Sequence, residues 1–226
     1  MGIPIEPEIK KGVELARLHK RLRRDDSETI TELHVSHAKS LAGLANFPDL
    51  EILILAGCDP VAPKTLPDLG RLLSLRIHDS GLRDIEGMDK FPGLRILSLP
   101  RNRIQDVSPL LNCNLASLEI TGNPLSQDSY EMVLPELMRR GCNVSRSQER
   151  EWRASLRIRE ANIPLSCYRN NGRYYLCSPG LEITGSPDTD HPEIRIDEVE
   201  DLLDRDPNVL LELFRQRGGV WHPPNP

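Results

Sequence analysis

One hydrophobic phrase recurs along the first half of the chain. It begins at Leu50 ("LEILILAGC"), Leu72 ("LLSLRIHDS") and Leu94 ("LRILSLPRN"), a spacing of 22 residues, and again one residue early at Leu115 ("LASLEITGN"). A degenerate copy precedes them at Ile30 ("ITELHVSHA"). Self-similarity at such a period marks a stack of repeats, in which each unit buries its apolar face only against its neighbours. Within each copy aliphatic residues alternate with period two, which predicts a short strand whose leucines point inward. Five copies predict five strands side by side.

The position that follows each strand by a few residues reads Ala38, Cys58, Ser80, Asn102, Asn123. An asparagine amide there can donate to and accept from the backbone of turns that no longer pair as a sheet. Cysteine and serine are weaker substitutes. Beyond this ladder lie "LRDIEGMDKFPG" and "IQDVSPLLNCN", whose aliphatic runs are interrupted by glycine and proline, predicting short 3₁₀ or irregular turns on the outer side.

The phrase L-x-x-L-x-L followed by this asparagine resembles the leucine-rich repeat family, in its short 22-residue class, from about Ile30 to Leu125. The resemblance implies an α/β fold: a curved solenoid with a parallel sheet inside, a 3₁₀ or irregular convex side, and partners bound on the concave face. Repeat 1 departs from the pattern, running 20 residues without the asparagine, and "GCDPVAPKTLP" in repeat 2 leaves its outer turn undefined.

A leucine solenoid exposes apolar rows at both ends and needs caps. Before the repeats, Glu8 to Arg24 carries Ile9, Val13, Leu15, Leu18 and Leu22 at near-helical spacing and predicts an amphipathic capping helix within residues 1–29. After Leu125, "SQDSYEMVLPELMRRGCNV" predicts a closing helix capped by Ser126 or Asp128, with Tyr130, Val133, Leu134 and Leu137 inward, then a strand, so that the solenoid spans residues 30–144.

Residues 145–226 follow another pattern and resemble no family. An arginine-rich helix with Trp152, Leu156 and Ile158 or Ile163 on its apolar edge precedes "LSCYRNNGRYYLCSPGLEI", where Asn171-Gly172 between alternating runs signals a hairpin. "IDEVEDLLDRDPNVLLELF" then predicts short helices broken at Asp206-Pro207. The expectation is an α+β extension.

Charge modifies this picture locally. The formal net charge is −5, but Arg139 to Arg173 holds nine arginines against three glutamates, and Glu182 to Asp206 holds ten acids against two arginines. The blocks are expected to neutralise each other across the fold. The alternative is a nucleic-acid module in residues 145–175, with arginines at positions 146, 150, 153, 157 and 159 near Tyr168, Tyr174 and Tyr175. No apolar run reaches the ~18 residues that a membrane helix needs. Five scattered cysteines lack the density of a disulfide scaffold, so reduced thiols and a cytoplasmic location are expected, with Cys167 and Cys177 as a conceivable pair across the hairpin.

Catalytic and metal signatures are missing from the sequence. It has no C-x-x-C, H-E-x-x-H, G-x-S-x-G or Walker loop. His34 and His78 sit two strands apart, roughly 10 Å, too far to share an ion bound at ~2 Å. No cofactor is expected, nor catalytic residues. What remains are the outward rows between the leucines: Glu32, Ile52, Ser74, Ile96, Ser117; then His34, Ile54, Arg76, Ser98, Glu119; then Ser36, Ala56, His78, Pro100, Thr121. The expected partner-binding residues are His34, Ile52, Ile54, Arg76, His78, Ile96, Ser98, Arg101 and Glu119. Apolar side chains beside charged ones suit a protein partner, held by a monomeric, non-enzymatic scaffold. The alternative within binding is a specific inhibitor or immunity-type protein for an enzyme or toxin.

Overall fold

The computed structural model describes residues 4–19, 29–59, 61–189 and 191–217. Six parallel strands follow in chain order: β1 (Glu32–Ser36), β2 (Ile52–Ala56), β3 (Ser74–His78), β4 (Ile96–Ser98), β5 (Ser117–Glu119) and β6 (Asn143–Ser145). Equivalent residues of each repeat stand opposite one another, Leu53 beside Leu75 and Leu75 beside Leu97. Two inward rows result: Leu33, Leu53, Leu75, Leu97, Leu118 and Val35, Leu55, Ile77, Leu99, Ile120, none more than 1% exposed. Each such side chain contributes about 1.5–3 kcal/mol of transfer free energy. A register shift by one residue would turn whole rows to solvent, which is why the stack is held in place.

The ladder works as its chemistry requires. Asn102 accepts from the Ser80 and Leu82 N–H groups and donates to the carbonyls of Ile77, Leu99 and Pro100. Asn123 accepts from Ile104 N–H and donates to Leu99, Ile120 and Thr121. Ser80 does half of this, accepting from Cys58 N–H, and the Cys58 thiol reaches the Val35 carbonyl weakly. On the convex side short 3₁₀ turns occupy Ala42–Asn46, Pro63–Thr65, Met88–Lys90 and Ser108–Asn112. The undefined outer turn of repeat 2 is the second of these, and Val61, Leu66 and Leu69 complete its buried row.

Helix α1 (Pro7–His19) lies against β1, but not on the face that its leucines suggest. Ile9 is fully buried, whereas Leu15 and Leu18 are 45% and 70% exposed, and Leu22 lies outside the described residues. The contact is centred on Gly12, where an added Cβ would stand 2.3 Å from the His34 carbonyl oxygen. The helix axis therefore sits too near the strand for a large side chain between them, and the leucines flank the contact. Glu6 ties this cap to the first convex turn through Ser40 Oγ and Gly43 N–H.

At the other end the helix after Leu125 opens with a π turn at Ser129–Val133 and continues as α2 (Leu134–Arg139). Ser126 Oγ accepts from Ser129 N–H at its start. Tyr130 stacks on Trp152 at 4.0 Å, and Trp152 Nε1 donates to the Leu125 carbonyl, so the last repeat is closed by aromatic planes. Trp152 belongs to α3 (Glu149–Glu160), which closes the first core with this residue and opens a second with Ala154 and Ile158.

The second core is α+β. A three-stranded antiparallel sheet, β7 (Ser166–Asn170), β8 (Arg173–Cys177) and β9 (Glu193–Ile194), packs with α3, α4 (Ile196–Arg205) and α5 (Val209–Gln216). The hairpin turn is Asn171-Gly172, both in the left-handed region. That two-residue turn sets Ser166, not Cys167, opposite Cys177. The two cysteines therefore face opposite sides of the hairpin, and both are free thiols, against the conceivable pairing.

Candidate functional site

The concave sheet presents the rows between the leucines in register. Ile52 and Ile96 flank Ser74 in the outermost row, and they are 36% and 50% exposed. Beside them run His34, Ile54, Arg76, Ser98 and Glu119, where Ser98 Oγ donates to the Glu119 carboxylate at 2.5 Å. Because β2 to β5 are paired on both sides and β1 on one, these side chains are held at fixed separations of about 4.8 Å per strand. The structure thus brings together Ile52, Ile54, Arg76, Ile96, Ser98 and Glu119. At the first repeat a groove between α1 and the sheet, lined by Leu15, Lys11, His34 and Ser36, extends this surface. Leu15 was missed because its helical spacing suggested the cap interior. The His34 imidazolium is disfavoured by burial first and by His78 second, so its pKa is lowered.

His78 in the third outward row and Arg101, one residue past it, both turn onto Asp79 rather than to an open surface, and their expected place among the partner contacts is corrected accordingly. The equivalent position just past the strand of each repeat turns through the left-handed region, at His37, Gly57, Asp79, Arg101 and Gly122. The stretch from β7 to β9 lies along this edge. Pro187 packs on Gly57, Gly180 on Gly81 and Tyr168 on Gly122. Hydrogen bonds fasten it: Gly180 N–H to the Asp79 carbonyl at 2.8 Å, Leu181 N–H to the Asp59 carboxylate, and His37 Nε2 to Asp188 at 2.7 Å. Ala56 and Pro100 along this edge are buried.

Asp79 is the centre of that seam and fully buried. Arg101 donates to it through Nε and Nη2 at 2.8 and 2.7 Å, and His78 Nδ1 donates at 2.9 Å. Burial alone would raise the Asp79 carboxyl, but the hydrogen bonds from His78 and Arg101 and the guanidinium charge outweigh it and hold the pKa below its usual value. Tyr168 covers Arg101, its ring centroid 5.1 Å from the guanidinium carbon. Tyr168 also donates to His191 Nδ1, while His191 Nε2 donates to the Pro187 carbonyl, which requires the Nε2–H tautomer. Burial lowers the pKa of His191 despite Asp79 nearby. Arg101 was expected to face a partner; a left-handed backbone at that residue swings it onto the preceding repeat instead. The sequence signal was present, an acid and a base at equivalent repeat positions 22 apart, Asp79 and Arg101.

The histidines considered for a metal each have their own partner: His34 is near Ser36, His37 binds Asp188 and His78 binds Asp79. Among the described residues no group of three or more histidine, cysteine or acidic side chains is placed to hold a metal ion. Nor is any helix among them long and apolar enough to cross a membrane. The arginine face of α3 is largely engaged within the chain. Arg150 binds Asp197 and Glu200, Arg157 binds Asp204, Arg153 binds Glu149, and Arg146 lies 4.5 Å over the Tyr130 ring. The opposed charge blocks meet as complementary faces of α3 and α4.

No known family's sequence profile matches the chain. Human leucine-rich repeat-containing protein 56 is 33% identical over 133 residues, a match covering 54% of this chain and 24% of the human protein. The chain thus spans about a quarter of that relative's length. Among solved structures, an internalin from Listeria monocytogenes aligns with a TM-score of 0.42 and 22% identity, covering 67% of this chain and 56% of the other. The repeat phrase, its asparagine ladder and the in-register parallel sheet together make this fold a leucine-rich-repeat solenoid.

Proposed function

We propose that this leucine-rich-repeat chain is a non-enzymatic scaffold that holds a protein partner on its concave face. The observation that carries this reading is the exposure of Ile52 and Ile96 in one row of a rigid sheet, with Arg76 and Glu119 in the next. Isolated exposed isoleucines cost little, but several in register, rimmed by opposite charges, are a pattern that partner surfaces use. The sheet is already ordered, so binding there loses little conformational entropy. Ile52, Ile54 and Ile96 supply the apolar contact, with Arg76, Ser98, Glu119 and His34 selecting the partner. Five free cysteines suit the reducing interior of a cell, and a cytoplasmic scaffold is the corresponding location.

The test is affinity purification from host lysate with the intact chain and with an Ile54→Ala/Arg76→Glu variant, followed by calorimetry with the partner so identified. Loss of about 1–3 kcal/mol of binding free energy at unchanged melting temperature is expected. Equal affinity of the two proteins would place the binding surface elsewhere.

A further inference from the structure

A cleft of about 250 Å³ lies between the solenoid edge and the loop that joins α3 to β7. Arg83 and Arg103 line it from successive repeats, and Arg159 and Ser166 line it from the opposite wall. Among the described residues four buried side-chain polar atoms have no hydrogen-bond partner, and two of them, Arg103 Nε and Ser166 Oγ, belong to residues that line this one cleft. Ser166 is 1% exposed.

The sign of these unpaired groups decides what would satisfy them. A guanidinium Nε–H can only donate, so its missing partner is an acceptor, and a serine hydroxyl, which can donate or accept, is able to donate to the same group. Arg103 uses Nη1 on Glu182 at 2.5 Å and Nη2 weakly on the Pro164 carbonyl at 3.4 Å, which leaves Nε without an acceptor. Neither Arg83 nor Arg159 forms an ion pair with a described residue, although Arg83 helps Arg103 lower the Glu182 carboxyl. Two carboxylates, Glu160 and Glu182, line the cleft against the three arginines, so a positive excess remains. Three guanidinium groups approaching from different elements suit an anion with acceptor oxygens in several directions, that is, a tetrahedral one, more than a flat carboxylate.

We infer that this cleft binds a phosphate monoester, with Arg83, Arg103 and Arg159 on its oxygens and the Ser166 hydroxyl donating to it. The phosphoryl group comes from a small metabolite or from a phosphorylated side chain; the recognition chemistry is shared. The site is separate from the concave face, and its test is independent of any partner bound there.

The intact chain, ¹⁵N-labelled, is titrated with inorganic phosphate, free phosphoserine and a phosphoserine peptide, following the Arg103 Nε–Hε resonance, which is assigned by its disappearance in Arg103→Lys. Saturable movement of that resonance is expected. In the Arg83→Ala/Arg159→Ala double variant, which breaks no ion pair of the described residues and whose melting temperature is measured alongside, the affinity falls by at least about tenfold. Much tighter binding of the peptide than of free phosphoserine assigns the source to a phosphorylated partner; comparable binding assigns it to a small molecule. The inference is overturned if the resonance shows no saturable movement, if the folded double variant binds as well as the wild type, or if acetate competes as well as phosphate.

Discussion

The seam between the solenoid and its extension can be tested at one carboxylate. Asp79→Asn keeps the shape of the side chain but removes the charge that Arg101 and His78 address and replaces one acceptor oxygen by an N–H donor. Taking one partner from a buried ion pair typically costs about 3–5 kcal/mol, because the other charge stays buried. Here the Arg101 side chain retains 20% exposure and can recover some hydration, and the Gly180 contact uses the Asp79 backbone, which the substitution leaves in place. A loss of about 2–4 kcal/mol is therefore expected. Urea denaturation followed by circular dichroism measures it, and hydrogen exchange at the Gly180 amide reports whether the seam loosens locally before the solenoid unfolds. The acid dependence gives a second reading. The folded-state pKa of Asp79 lies below its unfolded value, so the unfolded chain binds the proton more readily in between. The stabilisation is complete above the unfolded pKa and is lost as pH falls through the folded one. Asp79→Asn should flatten the acid limb of the stability profile. A variant within about 1 kcal/mol of wild type and with an unchanged acid limb would refute the assignment of Asp79 as the organising charge of the seam.

Three further outcomes follow from the packing. Asn102→Ala leaves two N–H groups and up to three carbonyls of the repeat turns without their partner, and should lower unfolding free energy by about 2–4 kcal/mol in the same urea assay. Gly12→Ala places a methyl group against the His34 carbonyl, so α1 must move off β1, at a cost of about 1–3 kcal/mol and with faster hydrogen exchange along β1. Cys167 and Cys177, buried on opposite faces of the hairpin with their thiol pKa values raised by burial, should resist a thiol reagent until urea unfolds the chain, and added dithiothreitol should leave the melting temperature unchanged.

Much of this architecture could be read from the residue pattern. The 22-residue spacing and the L-x-x-L-x-L phrase predicted the parallel strands, and Asn102 and Asn123 their ladder, because both depend on contacts between equivalent positions of adjacent repeats. The Asn171-Gly172 hairpin and the helix break at Asp206-Pro207 were equally legible, since turn geometry is a local property. The candidate surface was legible in part. Ile52, Ile54, Arg76, Ile96, Ser98 and Glu119 follow from period-two alternation, and the structure leaves them facing outward in register. His78 and Arg101 could not be judged in that way, because both turn onto the buried Asp79 and Arg101 is also covered by Tyr168, more than 60 residues further along.

By itself, then, the sequence determined the repeating unit, the direction in which each strand side chain points and the chemistry of each turn, all of which arise from interactions within a repeat or with its immediate neighbour. The tertiary structure alone decided which of those outward positions stay open. The seating of α1 on Gly12 pushed Leu15 and Leu18 outward, and the extension laid its β7–β9 stretch along the turn edge, burying Asp79 and drawing Arg101 beneath Tyr168. The same docking left Arg103 Nε and Ser166 Oγ unpaired in one cleft. The 22-residue spacing of Asp79 and Arg101 signals their pairing, but the docking that covers them rests on the fit of two surfaces distant in sequence, which no spacing reports.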